Sequence, residues 1–243
     1  MADATGNDRA RLEEFLGAYA RRPVPGFGLR RLIGGAIPQS VRPKLRRVAT
    51  DVISPLQRRK ARRLARRAAR VNLGCGTLKL PGWINLDLVG LPVDVAWNLE
   101  RRLPFDDASI DAIFHEHVLE HLSAPMGLRV LDECFRILKP GGIMRVVVPD
   151  ASKYIRSYCD PAHEFLTSWR QIDERRIPPL LGVQEEFFGF GHRTIYDFET
   201  LALFCRAAGF PTVEQRAFGE GKLQPCPDSA WREADSCYAE MDK

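Results

Sequence analysis

Gly74, Cys75 and Gly76 follow the apolar stretch Val71-Asn72-Leu73, and Asp87 closes the next one, Trp83 to Leu88. Glycines at a strand end let backbone approach a ligand closely, because no side chain obstructs it. An acid ending the neighbouring strand can accept hydrogen bonds from ribose hydroxyls. The pair points to an adenosine-bearing cofactor. A dinucleotide fingerprint would add a third glycine and place the acid about 20 residues on. Asp87 lies only 11 residues past Gly76, and Pro81-Gly82 interrupts the segment between them. A pyrophosphate would therefore lack its helix N-terminus. The spacing favours a cofactor without phosphate.

A second group follows the fourth apolar stretch: His115, Glu116, His117, Glu120 and His121. His192 comes after Gly189-Phe190-Gly191, a loop suited to close over a substrate. These two regions hold four of the five histidines. Imidazole titrates near neutral pH and is the natural general base for a poor nucleophile such as a hydroxyl. His117, His121 and His192 are the candidate bases. His117-Val-Leu-Glu120-His121 also matches an inverted zinc-protease pattern. A crossing from strand to helix argues against a protease. Two readings of Glu120 and His121 stay open: ligands to a divalent metal, or a hydrogen-bonded helix start.

These residues need a scaffold that gathers strand ends. Short apolar stretches at Val71–Leu73, Trp83–Leu88, Val93–Trp97, Ile110–Phe114 and Ile143–Val148 alternate with other elements. Met126 to Leu138 is a helix, with Leu128, Leu131, Phe135 and Leu138 at helical spacing. Residues 151–190 suggest short helices. Thr200 to Ala208 is a helix stopped by Gly209, and Val213–Phe218 and Cys237–Met241 are final strands. The pattern predicts an α/β fold: a Rossmann-like doubly wound sheet, mostly parallel with an antiparallel last strand. Ligands in such sheets bind beyond the carboxyl ends of the strands.

Four segments in order resemble a class I S-adenosylmethionine-dependent methyltransferase of the type 11 small-molecule group. They are VNLGCG (71–76), LPFDDASIDAIF (103–114), HVLEHL (117–122) and LDECFRILKPGGIMRVVVPD (131–150). HRTIYDFETLALFCRAAGF resembles the family's late helix. The resemblance implies an enzyme using S-adenosylmethionine, with cofactor contacts from Asn72, Gly74, Cys75, Gly76, Asp87, Asn98, Leu99 and His115. Asn72 stands where many members have Asp, and Asn98 where they have an adenine-binding Asp; an Asn oxygen can still accept. His115 to His121 falls where the family places its methyl acceptor. The cluster is also similar to ubiquinone-pathway O-methyltransferases, whose Glu-x-x-Glu-His segment binds a divalent ion. His117 replaces the first Glu, which disfavours Mg²⁺, an ion that prefers oxygen.

The segment after the fourth strand lacks the Asn/Asp-Pro-Pro-aromatic pattern of base methylases. Arg232, Ser236, Tyr238 and Glu240 fit a C-terminal pattern associated by resemblance with glycan biosynthesis. The implied reaction is O-methylation of a saccharide or glycan-precursor hydroxyl by in-line transfer. The alternatives are another secondary metabolite, or an RNA- or protein-directed enzyme docking through a basic arm.

That arm dominates the charge. Residues 1–70 hold 18 of the 36 Lys and Arg but 5 of the 31 acids, so the net charge of +5 conceals +13 in front of −8. We expect a basic helical extension over 1–70 and a catalytic domain over 71–243. A helix over 8–20 would start at Asp8, and another would start at Ser54-Pro55 and run to Arg70. Without an aromatic residue in 57–70, nucleic acid is disfavoured. The readings kept open are packing on the acidic domain, a homodimer contact, or an anionic membrane or glycan. With no spanning run, no leader pattern and no CxxC pair among six cysteines, the expectation is a reduced cytoplasmic protein, with attachment to the inner membrane face as a variant.

Overall fold

The computed structural model describes residues 42–90, 92–160 and 178–243. The helix expected over 8–20 lies outside these residues, as does the middle of the segment 151–190.

The described elements run α1 (Arg42–Ala65), β1 (Arg70–Leu73), β2 (Ile84–Asp87), β3 (Val95–Ala96), β4 (Ile110–Glu116), α2 (Ala124–Ile137) and β5 (Leu138–Pro149). They continue with α3 (Ala151–Cys159), α4 (Pro179–Phe188), α5 (Phe198–Ala207), β6 (Glu214–Arg216) and β7 (Ser236–Asp242). The strands form one sheet in the order β3-β2-β1-β4-β5-β7-β6. β1 to β5 are parallel, and β7 is antiparallel to both β5 and β6. This is a Rossmann-like doubly wound sheet, mostly parallel with an antiparallel end, as the pattern predicts. The order turns back at β1, which carries the glycine loop, and β4 beside it carries the histidines.

One face of the sheet holds the main core. Val71, Leu86, Ile113, Met144 and Val146 pack there with Ala61 of α1, Leu131 and Cys134 of α2, and Leu201 and Cys205 of α5. β5 is apolar almost throughout because it is central and covered on both sides. The other face carries Phe114, Val147 and Tyr238, covered by Leu80, Trp83 and Phe218 from loops. Arg145 interrupts the apolar run of β5 on that face, fully buried. It donates from Nε and Nη2 to Asp228 at 2.6 and 2.5 Å, and to the carbonyls of Glu220 and Ala217 at 2.8 and 3.1 Å. This one side chain pins the 217–228 loop to the sheet.

The helix expected to start at Ser54-Pro55 instead runs unbroken from Arg42 to Ala65, with Pro55 inside it and Arg70 already in β1. A proline removes one backbone bond from a helix interior. Contacts on both sides of Pro55 hold the helix regardless. Thr50 Oγ1 accepts from the Val89 N–H at 3.0 Å, and Gln57 Oε1 accepts from the Ala96 N–H at 3.2 Å. Arg47 pairs with Glu100 (2.6 Å), Arg62 with Asp106 (2.7 Å), and Asp51 with Arg101 (2.7 Å). The composition boundary at residue 70 thus follows a helix already packed on the sheet edge.

Candidate active site

Gly74 and Gly76 both adopt the left-handed backbone, at φ +62° and +55°. A Cβ on Gly74 would stand 2.5 Å from Val118 Cγ2, so the β1 and β4 loops meet at backbone level. A Cβ on Gly76 would meet nothing within 4 Å, and the loop opens there. Beside it, Asp87 Oδ2 accepts from the Gly76 N–H at 2.9 Å and Oδ1 from the Leu88 N–H at 2.6 Å. Arg46 of α1 donates to the carbonyls of Val89 (2.8 Å) and Leu88 (3.3 Å), and its Nη2 lies 4.0 Å from Asp87 Oδ1. Arg46 lies 41 positions upstream of Asp87, and no local motif marks it. An open glycine turn beside an oriented, partly exposed carboxylate fits the methionine and ribose parts of S-adenosylmethionine.

Other expected cofactor contacts are engaged inside the protein. Asn72 is buried, and its Nδ2 donates to Asn85 Oδ1 (3.0 Å) and the Leu78 carbonyl (3.2 Å). Asn85 in turn binds the Leu80 N–H and carbonyl. The two amides clamp the 77–83 loop, so Asn72 shapes the turn from behind. Burial raises the Cys75 thiol to about 12, which keeps it protonated. Asn98 Oδ1 accepts from the Glu100 N–H at 3.1 Å, and Leu99 packs partly against the core.

His115 corrects the expectation most directly. It sits in β4 between Leu73 and Val146, with no exposed surface and, among the described residues, no hydrogen-bond partner for either ring nitrogen. Alternation puts it on the core face, where it can reach no ligand. Burial lowers its pKa to about 4. A folded-state value below the unfolded 6.5 means stability that is complete above pH 6.5 and lost as pH falls toward 4. His115→Leu also removes an unpaired buried donor, so a gain of roughly 1–2 kcal/mol is expected. Melting temperatures across pH 4–7 check this: the variant's acid limb should be shallower, and an unchanged limb would refute the assignment.

The other histidines do gather. His117 follows β4 at φ +51°, a conformation unusual for a residue with a Cβ. Its Nε2 lies 2.8 Å from Ser236 Oγ, whose hydroxyl donates to Asp235 Oδ1 at 2.7 Å. Because the serine proton goes to Asp235, Nε2 of His117 carries the hydrogen that reaches Ser236. The Nδ1 lone pair then faces Glu120 Oε1 at 3.4 Å. Asp235 was not among the sequence-derived candidates, and Ser236 only as part of the C-terminal pattern.

Glu120 is buried with both carboxyl oxygens lacking a hydrogen-bond partner among the described residues, and burial raises its pKa to about 8. His121 Nε2 lies 4.0 Å from Glu120 Oε1. The rings of His121 and His192 meet edge to face at 5.0 Å. His192 Nδ1 lies 3.9 Å from Glu186 Oε1. The loop is tied down by Arg193 and Thr194, whose N–H groups donate to the Glu120 carbonyl at 2.7 and 3.2 Å. Burial lowers the pKa of both His117 and His121. At His121 the Gly191 backbone acts against that lowering. Donor atoms of Glu120, His121 and His192 all lie within 4.8 Å of one another. Two imidazoles and a carboxylate suit a first-row transition ion better than Mg²⁺.

Residues 47–146 match the family model described as a methyltransferase domain. Over 145 residues the chain is 30% identical to a probable S-adenosylmethionine-dependent methyltransferase of Mycolicibacterium smegmatis, covering 58% of this chain and 51% of that protein. Over 126 residues it is 31% identical to a demethylmenaquinone methyltransferase of Clavibacter sepedonicus, covering 49% and 47%. The chain spans about half the length of these curated relatives. Among solved structures, a possible histamine N-methyltransferase from Thermotoga maritima is similar at a TM-score of 0.45 and 20% identity, over 77% of this chain and 92% of that one.

Proposed function

We propose that the chain carries a class I S-adenosylmethionine-dependent methyltransferase domain, supported by the family-model match and the curated relatives, and that it methylates a hydroxyl of a saccharide or glycan precursor. The observation that carries this is the cluster of His117, His121 and His192 beside the glycine loop. When bound, S-adenosylmethionine supplies an electrophilic methyl carbon whose departure returns an electron pair to sulfur. The chain's task is to hold the acceptor oxygen in line and remove its proton. Asp87 and the Gly74–Gly76 turn hold the cofactor. His121, partly exposed and neutral, takes the hydroxyl proton at a ring nitrogen. His192 and Phe190 close over it. His117, oriented by Ser236 and Asp235, positions Glu120 from its other ring nitrogen. A divalent ion, if used, would be held by Glu120, His121 and His192 and would lower the pKa of a bound hydroxyl. The basic stretch 56–70 would face an anionic surface.

Transfer of labelled methyl groups to a panel of sugars, nucleotide-linked sugars and a demethylmenaquinone-type quinol tests the reading, run with and without added zinc or chelator. A saccharide oxygen as sole acceptor is expected. Transfer to the quinol, or to no hydroxyl, would overturn it. Asp87→Ala should weaken S-adenosylhomocysteine binding at least tenfold by calorimetry, the scale of losing charge-assisted hydrogen bonds (about 1.5–3 kcal/mol). Unchanged affinity would remove Asp87 from the cofactor site.

A further inference from the structure

The inward face of α1 is committed to the domain through Arg46, Thr50, Gln57 and Ala61. Its outward face is not. Leu45, Val48, Val52 and Leu56 are 42%, 61%, 74% and 68% exposed. Their spacing of three or four residues stacks them in one line, about 16 Å long at 1.5 Å per residue. Farther along the same line stand the exposed Arg59 and Arg63, with Arg66 and Arg67 just past the helix end. Among the described residues these four arginines pair with no acid, whereas the helix's one acid, Asp51, pairs with Arg101.

We propose that this outward face docks the protein on an anionic lipid surface. The aliphatic half enters the boundary between headgroups and acyl chains, and the basic half pairs with lipid phosphates. The inference rests on reading 56–70 as facing an anionic surface, and narrows that surface to lipid. A glycan offers no apolar phase to four exposed aliphatic side chains. A second copy laid on the same face would set arginines against arginines or against aliphatic groups. No helix among the described residues is long and apolar enough to cross a membrane, so the contact is interfacial.

The test sediments the full chain with vesicles of mixed phosphatidylglycerol and phosphatidylcholine, and with pure phosphatidylcholine. Binding to the mixed vesicles alone, weakened by salt, is expected. Val52→Glu with Leu56→Glu should reduce it at least tenfold. Arg59→Gln with Arg63→Gln should do the same, at about fivefold per charge removed. Melting temperature and S-adenosylhomocysteine affinity should not move in either variant, which separates this proposal from the methyl-transfer reading. Failure to sediment with anionic vesicles overturns it, including the case where heparin still retains the protein. So does vesicle binding that survives the Val52/Leu56 change. A dimer that this change converts to monomer, without vesicle binding, assigns the face to a second copy instead.

Discussion

His121→Ala is expected to lower turnover about 10²–10⁴-fold, the usual contribution of a positioned general base, while affinity for S-adenosylhomocysteine stays the same. A hydroxyl is a weak nucleophile until its proton has somewhere to go. His121 offers that place because desolvation holds its pKa below the ordinary imidazole value and leaves the ring neutral. His121→Gln keeps a polar side chain at the position but takes no proton, so it should lose as much as the alanine variant. The wild-type rate should fall as pH drops below the ordinary imidazole value of about 6.5, and that limb should vanish in both variants. His117→Ala should also lose activity, but through misplacement of Glu120. Its residual rate should keep the wild-type pH profile, because the base is intact. Full activity in His121→Ala with an unaltered profile would move the base role to His192.

Arg145→Ala is expected to destabilise the fold by about 3–5 kcal/mol, the cost of stripping one partner from a buried ion pair. The guanidinium has no exposed surface and holds Asp228 through two hydrogen bonds. Its Nη1 also lies 3.8 Å from Glu240 Oε1, and the group sits 5.5 Å over the Tyr238 ring. Its removal leaves the Asp228 carboxylate buried without its cation, leaves Glu240 only Arg216 at 3.7 Å, and frees the 217–228 loop. Urea unfolding should show the loss. Arg145→Ala combined with Asp228→Ala should cost less than the two changes added together, since the second removes a charge the first left stranded. Additive losses would mean that the pair is not the element that holds the loop.

Arg145 also shows how far pattern reaches. A charge inside the run Ile143 to Val148 is visible in the letters, but Asp228 lies 83 positions away and nothing local connects them. The strands and α2 were legible because burial on one or two faces imposes its own periodicity. β4 continued two residues beyond its apolar stretch, to Glu116, because ladder pairing with β5 supports polar residues as readily as apolar ones. Proline is a sound sign of a helix start, yet α1 passes through Pro55, since packing on the sheet edge outweighs one lost backbone bond.

Residue types and spacing by themselves determined the sheet class, the glycine turn with its acid, and the pool of histidines. These follow from backbone freedom, alternation and titration, which are local properties. Tertiary structure alone decided where each candidate sits and what it touches. It sealed His115 in the core and turned Asn72 back onto a loop. It joined His117 to Ser236 across 119 positions and set Arg46 beside Asp87. The reason is physical: burial and hydrogen-bond partnership depend on which distant segments pack together, and spacing along the chain carries no record of that.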